Sequence, residues 1–261
     1  MGSSPERSFQ RLVEVMSRLR RDCPWDRVQT TRSILPYLIE ETYEVLEALE
    51  SGSPDEVRGE LGDLLLQIIF HSKLASERNE FDVTDVIDAV CEKMIRRHPH
   101  VFGDVEATTT DEVLRNWSRI KSAERSEGTD RPSSVLDGVP ATMPALLRAE
   151  RLGEKASRVG FDWSDPRSVL AKVREEIGEL VQALEGGDPG RVEEELGDCL
   201  FALASLGRKA AVSAEIALRG TLARFQERFG RIEDELRREG KDIHAVGLAE
   251  LEELWQRAKA R

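Results

Sequence analysis

Glu40-Glu41-Thr42-Tyr43-Glu44, followed after fifteen residues by Glu60-Leu61-Gly62-Asp63, occurs twice in this chain. Adding 135 to each number gives Glu175-Glu176-Ile177-Gly178-Glu179 and, after another fifteen residues, Glu195-Leu196-Gly197-Asp198. Between positions 40 and 65, 14 of 26 residues are identical to their partners 135 residues later, so the chain carries an internal duplication. In each copy the apolar period breaks, at Ser51-Gly52-Ser53-Pro54 and at Gly186-Gly187-Asp188-Pro189, with Gly as a helix stop and Pro opening the next helix. This predicts an antiparallel helical hairpin centred near residue 52, and a second centred near 187.

The hairpin fixes where the acids go. Glu44 lies eight residues before the centre and Glu60 eight after, while Glu41 and Asp63 both lie eleven away, so they meet in pairs at matching heights. At about 100° per residue, Glu41 and Glu44 sit roughly 60° apart on one helix face, and Glu60 and Asp63 do the same opposite. Four carboxylates in one small volume repel unless protons or a cation offset their charge. Oxygen-only ligands favour a hard cation, Mg²⁺ first and Mn²⁺ next.

The competing reading is a solvated helix face, since 34% of the residues are charged and Glu pairs at i, i+3 are common on helix surfaces. Two features count against it. Each Asp precedes a run too apolar for a surface helix, Leu64-Leu65-Leu66-Gln67-Ile68-Ile69-Phe70 and Cys199-Leu200-Phe201-Ala202-Leu203-Ala204, so the acids should border a buried segment. The second copy, at the same spacing, makes accident harder to sustain.

Composition narrows the classes. A length of 261 residues has room for two domains, and the duplication divides it into residues 1–125, a linker at 126–143 rich in Ser, Gly, Thr, Asp and Pro, and residues 144–261. Aromatics at 5% and few β-branched runs argue for an all-α fold. A formal charge of −12 disfavours a nucleic-acid binder, whose footprint is basic. No targeting segment and no apolar run of membrane-spanning length is present, so a soluble, cytoplasmic protein that binds no membrane is expected. Cys23, Cys91 and Cys199 are far apart without a C-x-x-C pair, and are expected to be core or near-core thiols. None of the four histidines stands in Glu-x-x-His spacing, which removes the main signature of a ferritin-like di-iron bundle.

Further candidates follow in chain order. An amphipathic helix over 6–21 gives way at Cys23-Pro24-Trp25-Asp26, read as a loop whose Trp is a lid on the core or a wall for a planar ligand, the lid being the default. The first acid helix, roughly 31–50, carries Pro36 near its start, which predicts a kink or a late beginning. Asp82 is an N-cap for a helix over about 83–97, where Lys93 and Arg97 share a face and fit a phosphate clamp. His98-Pro99-His100 reads as a stop signal rather than a metal site. A helix over about 110–125 places Trp117 and Lys121 one turn apart. The second copy repeats this kit in Arg224 with Arg228, and Trp255 with Lys259, while Asp165-Pro166 caps its acid helix.

The doubled E-E-x-x-E…E-x-x-D, with Cys23-Pro24-Trp25-Asp26, Arg96-Arg97-His98-Pro99-His100-Val101-Phe102 and Gly160-Phe161-Asp162-Trp163, resembles MazG, the tandem all-α nucleoside triphosphate pyrophosphohydrolase family, from about residue 8 to 259. The resemblance implies two four-helix-type domains, a homodimer, and Mg²⁺-dependent hydrolysis of NTPs and dNTPs to the monophosphate and pyrophosphate with broad base tolerance. Carried over by position, the metal ligands are Glu176, Glu179, Glu195 and Asp198, with counterparts Glu41, Glu44, Glu60 and Asp63. Arg224 and Arg228 match the family's triphosphate-binding cations, and Trp255 and Lys259 its nucleotide contacts. Relatives tend to work through the C-terminal half, but often carry Lys at the place of Arg224 and Asn at that of Leu222, so which half is active stays open.

The reaction also needs a base to orient water. Glu175 is the candidate, about 100° round the helix from Glu176 but only about 40° from Glu179, so it faces the cavity without ligating the first metal. Two alternatives remain: a pyrophosphatase selective for one non-standard or pyrimidine nucleotide, and a non-catalytic nucleotide sensor that kept the fold.

Overall fold

The computed structural model describes residues 4–126 and 134–259, and among them there is no β-strand. Twelve α-helices are seen: α1 (Pro5–Asp22), α2 (Pro24–Val28), α3 (Leu35–Ser51), α4 (Pro54–Glu77), α5 (Val83–Arg97), α6 (Pro99–Phe102), α7 (Thr110–Ser126), α8 (Ala145–Ser157), α9 (Pro166–Gly186), α10 (Pro189–Lys209), α11 (Ala214–Arg238) and α12 (Leu248–Lys259). The chain divides into two compact units, residues 1–128 and 129–261. Part of the expected linker, 127–133, lies outside the described residues. No described helix is long and apolar enough to cross a membrane.

The first unit is built on the α3/α4 hairpin. Gly52 ends α3, its N–H donating to the carbonyl of Ala48 at 2.8 Å, and Ser53 opens α4 through a reciprocal capping box with Glu56. Pro36 acts as a late start rather than a kink: α3 begins at Leu35, with Ile34 still outside it. Ile34, Met16, Ile69, Phe70 and Leu74 form the core between α1, α4 and the turn that leads into α3. Arg20, at the end of α1, stacks over the Phe70 ring and pairs with Glu77 at 2.6 Å, while also donating to the carbonyl of Asp26.

Three expectations are corrected here. Cys23-Pro24-Trp25-Asp26 is not a loop, because Pro24 at the first helical position nucleates the short α2. Trp25 does not lid the core: it is 50% exposed and meets Tyr37 edge-on, ring centroids 5.8 Å apart. Cys91 is exposed rather than near the core, whereas Cys199 is buried and Cys23 half-buried. His98 does mark a break, separating α5 from α6.

The second unit repeats the hairpin as α9/α10, turned by Gly187 in the left-handed region (φ 67°), which a residue with a Cβ enters only with strain. Asp165 caps α9 by accepting from the Ser168 N–H at 2.9 Å. The loop after α8 is tied down by Asp162, which receives Arg208 at 2.5 Å and Lys209 at 2.7 Å from the end of α10. Gly153 makes room for this, since a Cβ there would stand 3.1 Å from the Arg208 Nε. Ile232, Leu236, Leu254 and Ala258 form the core between α11 and α12.

Candidate functional site

The two hairpins bring the acids together. One carboxylate oxygen from each of Glu41, Glu44 and Glu60 lies within 4.8 Å of the others, and Glu176, Glu179 and Glu195 do the same. Asp63 and Asp198 stand outside these tight trios, although the charge of Asp63 reaches Glu41. Burial, then the charges of Asp63 and Glu44, push the Glu41 carboxyl up, and burial with Glu176 pushes Glu179 up. Each trio thus holds its negative charge reluctantly and offers only oxygen donors, a set that suits a hard divalent cation. The mouth of the first trio is a cavity of about 310 Å³ lined by Glu44, Glu47, Glu56 and Glu60.

The copies differ in their counter-ions. In the second unit Glu176 and Glu195 are buried, and each has a cation one turn away. Lys172 lies 2.8 Å from both Glu175 and Glu176, and Arg191 lies 3.3 Å from Glu195. Those two carboxylates hold the Lys172 ammonium pKa well above its ordinary value. The first unit has Tyr37 and Glu56 at the corresponding positions. Sequence reading passed over Lys172 and Arg191, although their i, i+4 spacing to Glu176 and Glu195 was visible.

The basic clusters differ as well. Arg97 and Arg96 both reach Glu124, at 2.5 and 2.7 Å, and together hold its carboxyl down at about 2. Arg97 and Lys121 also stack on the Trp117 ring, 5.4 and 4.6 Å from its centroid, so Arg97, Trp117 and Lys121 form one cluster between α5 and α7. Lys93 is half-buried one turn before Arg97. In the second unit Trp255 packs on Phe225, with centroids 5.2 Å apart, and Phe225 stacks on Phe229. Arg224 donates to Thr221 Oγ1 at 2.9 Å. Among the described residues, neither Arg224 nor Arg228 meets a carboxylate. No ion pair among the described residues joins Arg224, Arg228 or Lys259 to the acids of α9 and α10.

Comparison with known proteins agrees with this geometry. The profile of the MazG nucleotide pyrophosphohydrolase domain matches twice, at residues 29–102 and 164–232, spanning both hairpins. A nucleoside triphosphate pyrophosphohydrolase of Escherichia coli (strain K12) is 42% identical over 256 residues, covering 96% of this chain and 97% of the relative. The nucleoside triphosphate pyrophosphohydrolase/pyrophosphatase MazG of Thermotoga maritima is 42% identical over 253 residues, covering 96% of this chain and 95% of its own length. A crystal structure of a mazG-related protein from Thermotoga maritima aligns with 43% of this chain and 98% of its own at 28% identity and a TM-score of 0.39. With two matched domains and near full-length relatives at this identity, the chain belongs to the MazG family as a tandem all-α member.

Proposed function

We propose that this protein is a Mg²⁺-dependent nucleoside triphosphate pyrophosphohydrolase, converting NTPs and dNTPs to monophosphate and pyrophosphate with broad base tolerance and serving to clear the cytoplasmic nucleotide pool. The observation that carries the reading is the pair of three-carboxylate sets, each within 4.8 Å and each on a matched MazG segment. The names of the 42% identical relatives support the activity.

Turnover is assigned to the second unit. Its Arg224 and Arg228 carry no carboxylate partner among the described residues and are available to a triphosphate, whereas Arg97 is already held by Glu124. Glu176, Glu179 and Glu195 would hold the metal, with Asp198 from beside the trio, and in the first unit Glu41, Glu44 and Glu60, with Asp63, would form the equivalent set. Mg²⁺ held there, or Mn²⁺ in its place, would supply positive charge that offsets the phosphate oxygens. Arg224, Arg228 and Lys259 receive the charge of the departing pyrophosphate, Trp255 supports the nucleoside, and Glu175 takes the proton from the attacking water.

The working form is assigned as a homodimer. Leu61, Leu65 and Ile68 lie on one stripe of α4 and are exposed, and Leu196, Leu200 and Leu203, 135 residues later, repeat that stripe on α10. An apolar stripe kept in both copies fits burial against a second copy of the chain.

Pyrophosphate release from a panel of NTPs and dNTPs with Mg²⁺ tests the reading, with Glu176→Ala/Glu179→Ala and Glu41→Ala/Glu44→Ala variants run beside the wild type. Loss only in the first variant is expected. Loss only in the second moves catalysis to the first unit. Turnover confined to one nucleotide replaces breadth by selectivity, and no release from any nucleotide replaces the enzyme by a sensor.

A further inference from the structure

We propose, building on the nucleotide-hydrolase reading, that Glu124 is a tethered plug in a polyphosphate site of the first unit. Its carboxylate occupies the seat of a phosphate between Arg96 and Arg97, and a polyphosphate anion binds there only by displacing it.

The contact has the geometry of an anion seat. Arg97 donates from Nε to both carboxylate oxygens, at 3.4 and 3.1 Å, and from Nη2 to Oε2 at 2.5 Å. Arg96 approaches from its own Nε, 2.7 Å from Oε1. Two guanidiniums on one planar anion, one of them donating through two nitrogens, is the arrangement in which arginine takes a phosphate. The tighter pair is also withdrawn from water, with the side chains of Arg97 and Glu124 14% and 21% exposed. Arg97 lies over the Trp117 ring as well, so its guanidinium is fixed in place beside an aromatic face. Two positive charges share one carboxylate, which leaves the seat one charge short of neutral on a chain whose formal charge is −12. A polyphosphate, with more charge and more oxygens, offsets both guanidiniums.

Local helix chemistry does not account for the acid. Glu124 stands in the last turn of α7, at the negative end of the helix dipole, where a carboxylate is disfavoured. Arg96 and Arg97 end α5, where cations are favoured, so the basic half of the contact suits its helix and the acidic half does not. The duplication supplies a control within the chain. Arg224 and Arg228 in the second unit meet no carboxylate among the described residues, so the fold keeps a basic pair of this kind without an acid against it. Placement near a helix end also makes the plug removable, since a terminal turn opens at little cost.

A proton does not open the site. The hydrogen bonds of Arg97, and then of Arg96, hold the Glu124 carboxyl down at about 2, so the plug stays charged near neutral pH. Displacement therefore answers to anion concentration. A carboxylate on the same chain competes at a high effective concentration, so the second unit fills first and the first unit only when polyphosphate is abundant.

The test measures binding of inorganic tripolyphosphate, and of the α,β-methylene analogue of ATP with Mg²⁺, to the full chain carrying Arg224→Ala/Arg228→Ala, which leaves the first unit's arginines as the clamp. Adding Glu124→Gln is expected to tighten tripolyphosphate by roughly tenfold or more, because the tethered competitor is gone. Adding Arg97→Ala to that variant should cancel the gain. Glu124→Asp keeps the charge but draws the carboxylate back by one methylene; it should give a smaller gain in the same direction, and it carries the test where Glu124→Gln fails to fold. A gain for the ATP analogue that disappears with Glu41→Ala/Glu44→Ala identifies a metal-held nucleotide as the source of the polyphosphate, and a gain indifferent to those substitutions identifies a free polyphosphate. Unchanged tripolyphosphate affinity once the carboxylate is removed or withdrawn, or a gain that survives Arg97→Ala, would overturn the plug, and pyrophosphate release by the wild type would leave the hydrolase reading standing. A wild type that releases pyrophosphate from no nucleotide removes that reading, and the tripolyphosphate gain alone then decides the plug.

Discussion

The ammonium of Lys172 lies 2.8 Å from the carboxylate of Glu176, one helical turn further along α9, while the equivalent of Lys172 in the first copy is Tyr37. The second acid trio therefore carries a built-in monovalent counter-ion, whereas no ion pair among the described residues reaches the first. A tethered ammonium competes with a divalent cation for the same oxygens and repels it. In protein carrying Glu41→Ala/Glu44→Ala, Lys172→Met is expected to raise Mn²⁺ affinity in the absence of nucleotide by roughly two- to fivefold, a modest gain because the lysine is partly solvated. Calorimetric titration measures it, and an unchanged dissociation constant would show that the ammonium does not compete.

Glu175 and Glu176 are adjacent and share Lys172, yet Glu176 is buried in the trio and Glu175 is outside it and exposed. Their substitutions should separate. Glu176→Gln is expected to abolish both Mn²⁺ binding and turnover. Glu175→Gln is expected to keep Mn²⁺ binding while kcat falls on the order of a hundredfold, as for loss of a general base. Intact turnover in Glu175→Gln would place the base on another group.

The stripe of Leu196, Leu200 and Leu203 predicts an association that ultracentrifugation can read. Wild-type protein should sediment as a dimer, and Leu200→Glu combined with its counterpart Leu65→Glu should shift it to monomer, because each copy of a symmetric interface then buries an unpaired charge. A monomeric wild type would remove the second copy as the occupant of the stripe.

Much of this was legible in the sequence because it rests on local rules. The hairpins follow from Gly and Pro at fixed positions, the caps at Ser53, Asp82 and Asp165 from residue type, and the approach of the glutamates from symmetry about the turn, although that symmetry called for four carboxylates and Asp63 and Asp198 stand outside the trios. Cys23-Pro24-Trp25-Asp26 was misread because Pro breaks a helix in one position and starts one in another. The apolar runs after each acid set promised burial, but Leu65, Ile68, Leu200 and Leu203 remain exposed, since periodicity shows that a face is apolar without showing what covers it. The clamp of Arg97 by Glu124, 27 residues away, and of Asp162 by Arg208, 46 residues away, depends on tertiary placement that no spacing rule encodes.

That last clamp yields a pH-dependent prediction. The hydrogen bonds of Arg208, and then Lys209, hold the Asp162 carboxyl down at about 2, below its ordinary value. Because the folded-state pKa is depressed, the pair stabilises the protein above the unfolded-state pKa near 4, and this contribution disappears as pH falls towards about 2. Asp162→Asn removes the same charge at every pH and leaves Arg208 and Lys209, both largely buried, without their carboxylate. The variant should therefore be less stable than wild type by about 2 kcal/mol at pH 7. The gap should narrow between roughly pH 4 and pH 2, where wild-type Asp162 becomes protonated and resembles the amide. Denaturant unfolding of both proteins across that range is the measurement. A gap that keeps its full size down to pH 2.5, or none at pH 7, would mean that the ion pair does not hold the α8–α9 loop to the end of α10.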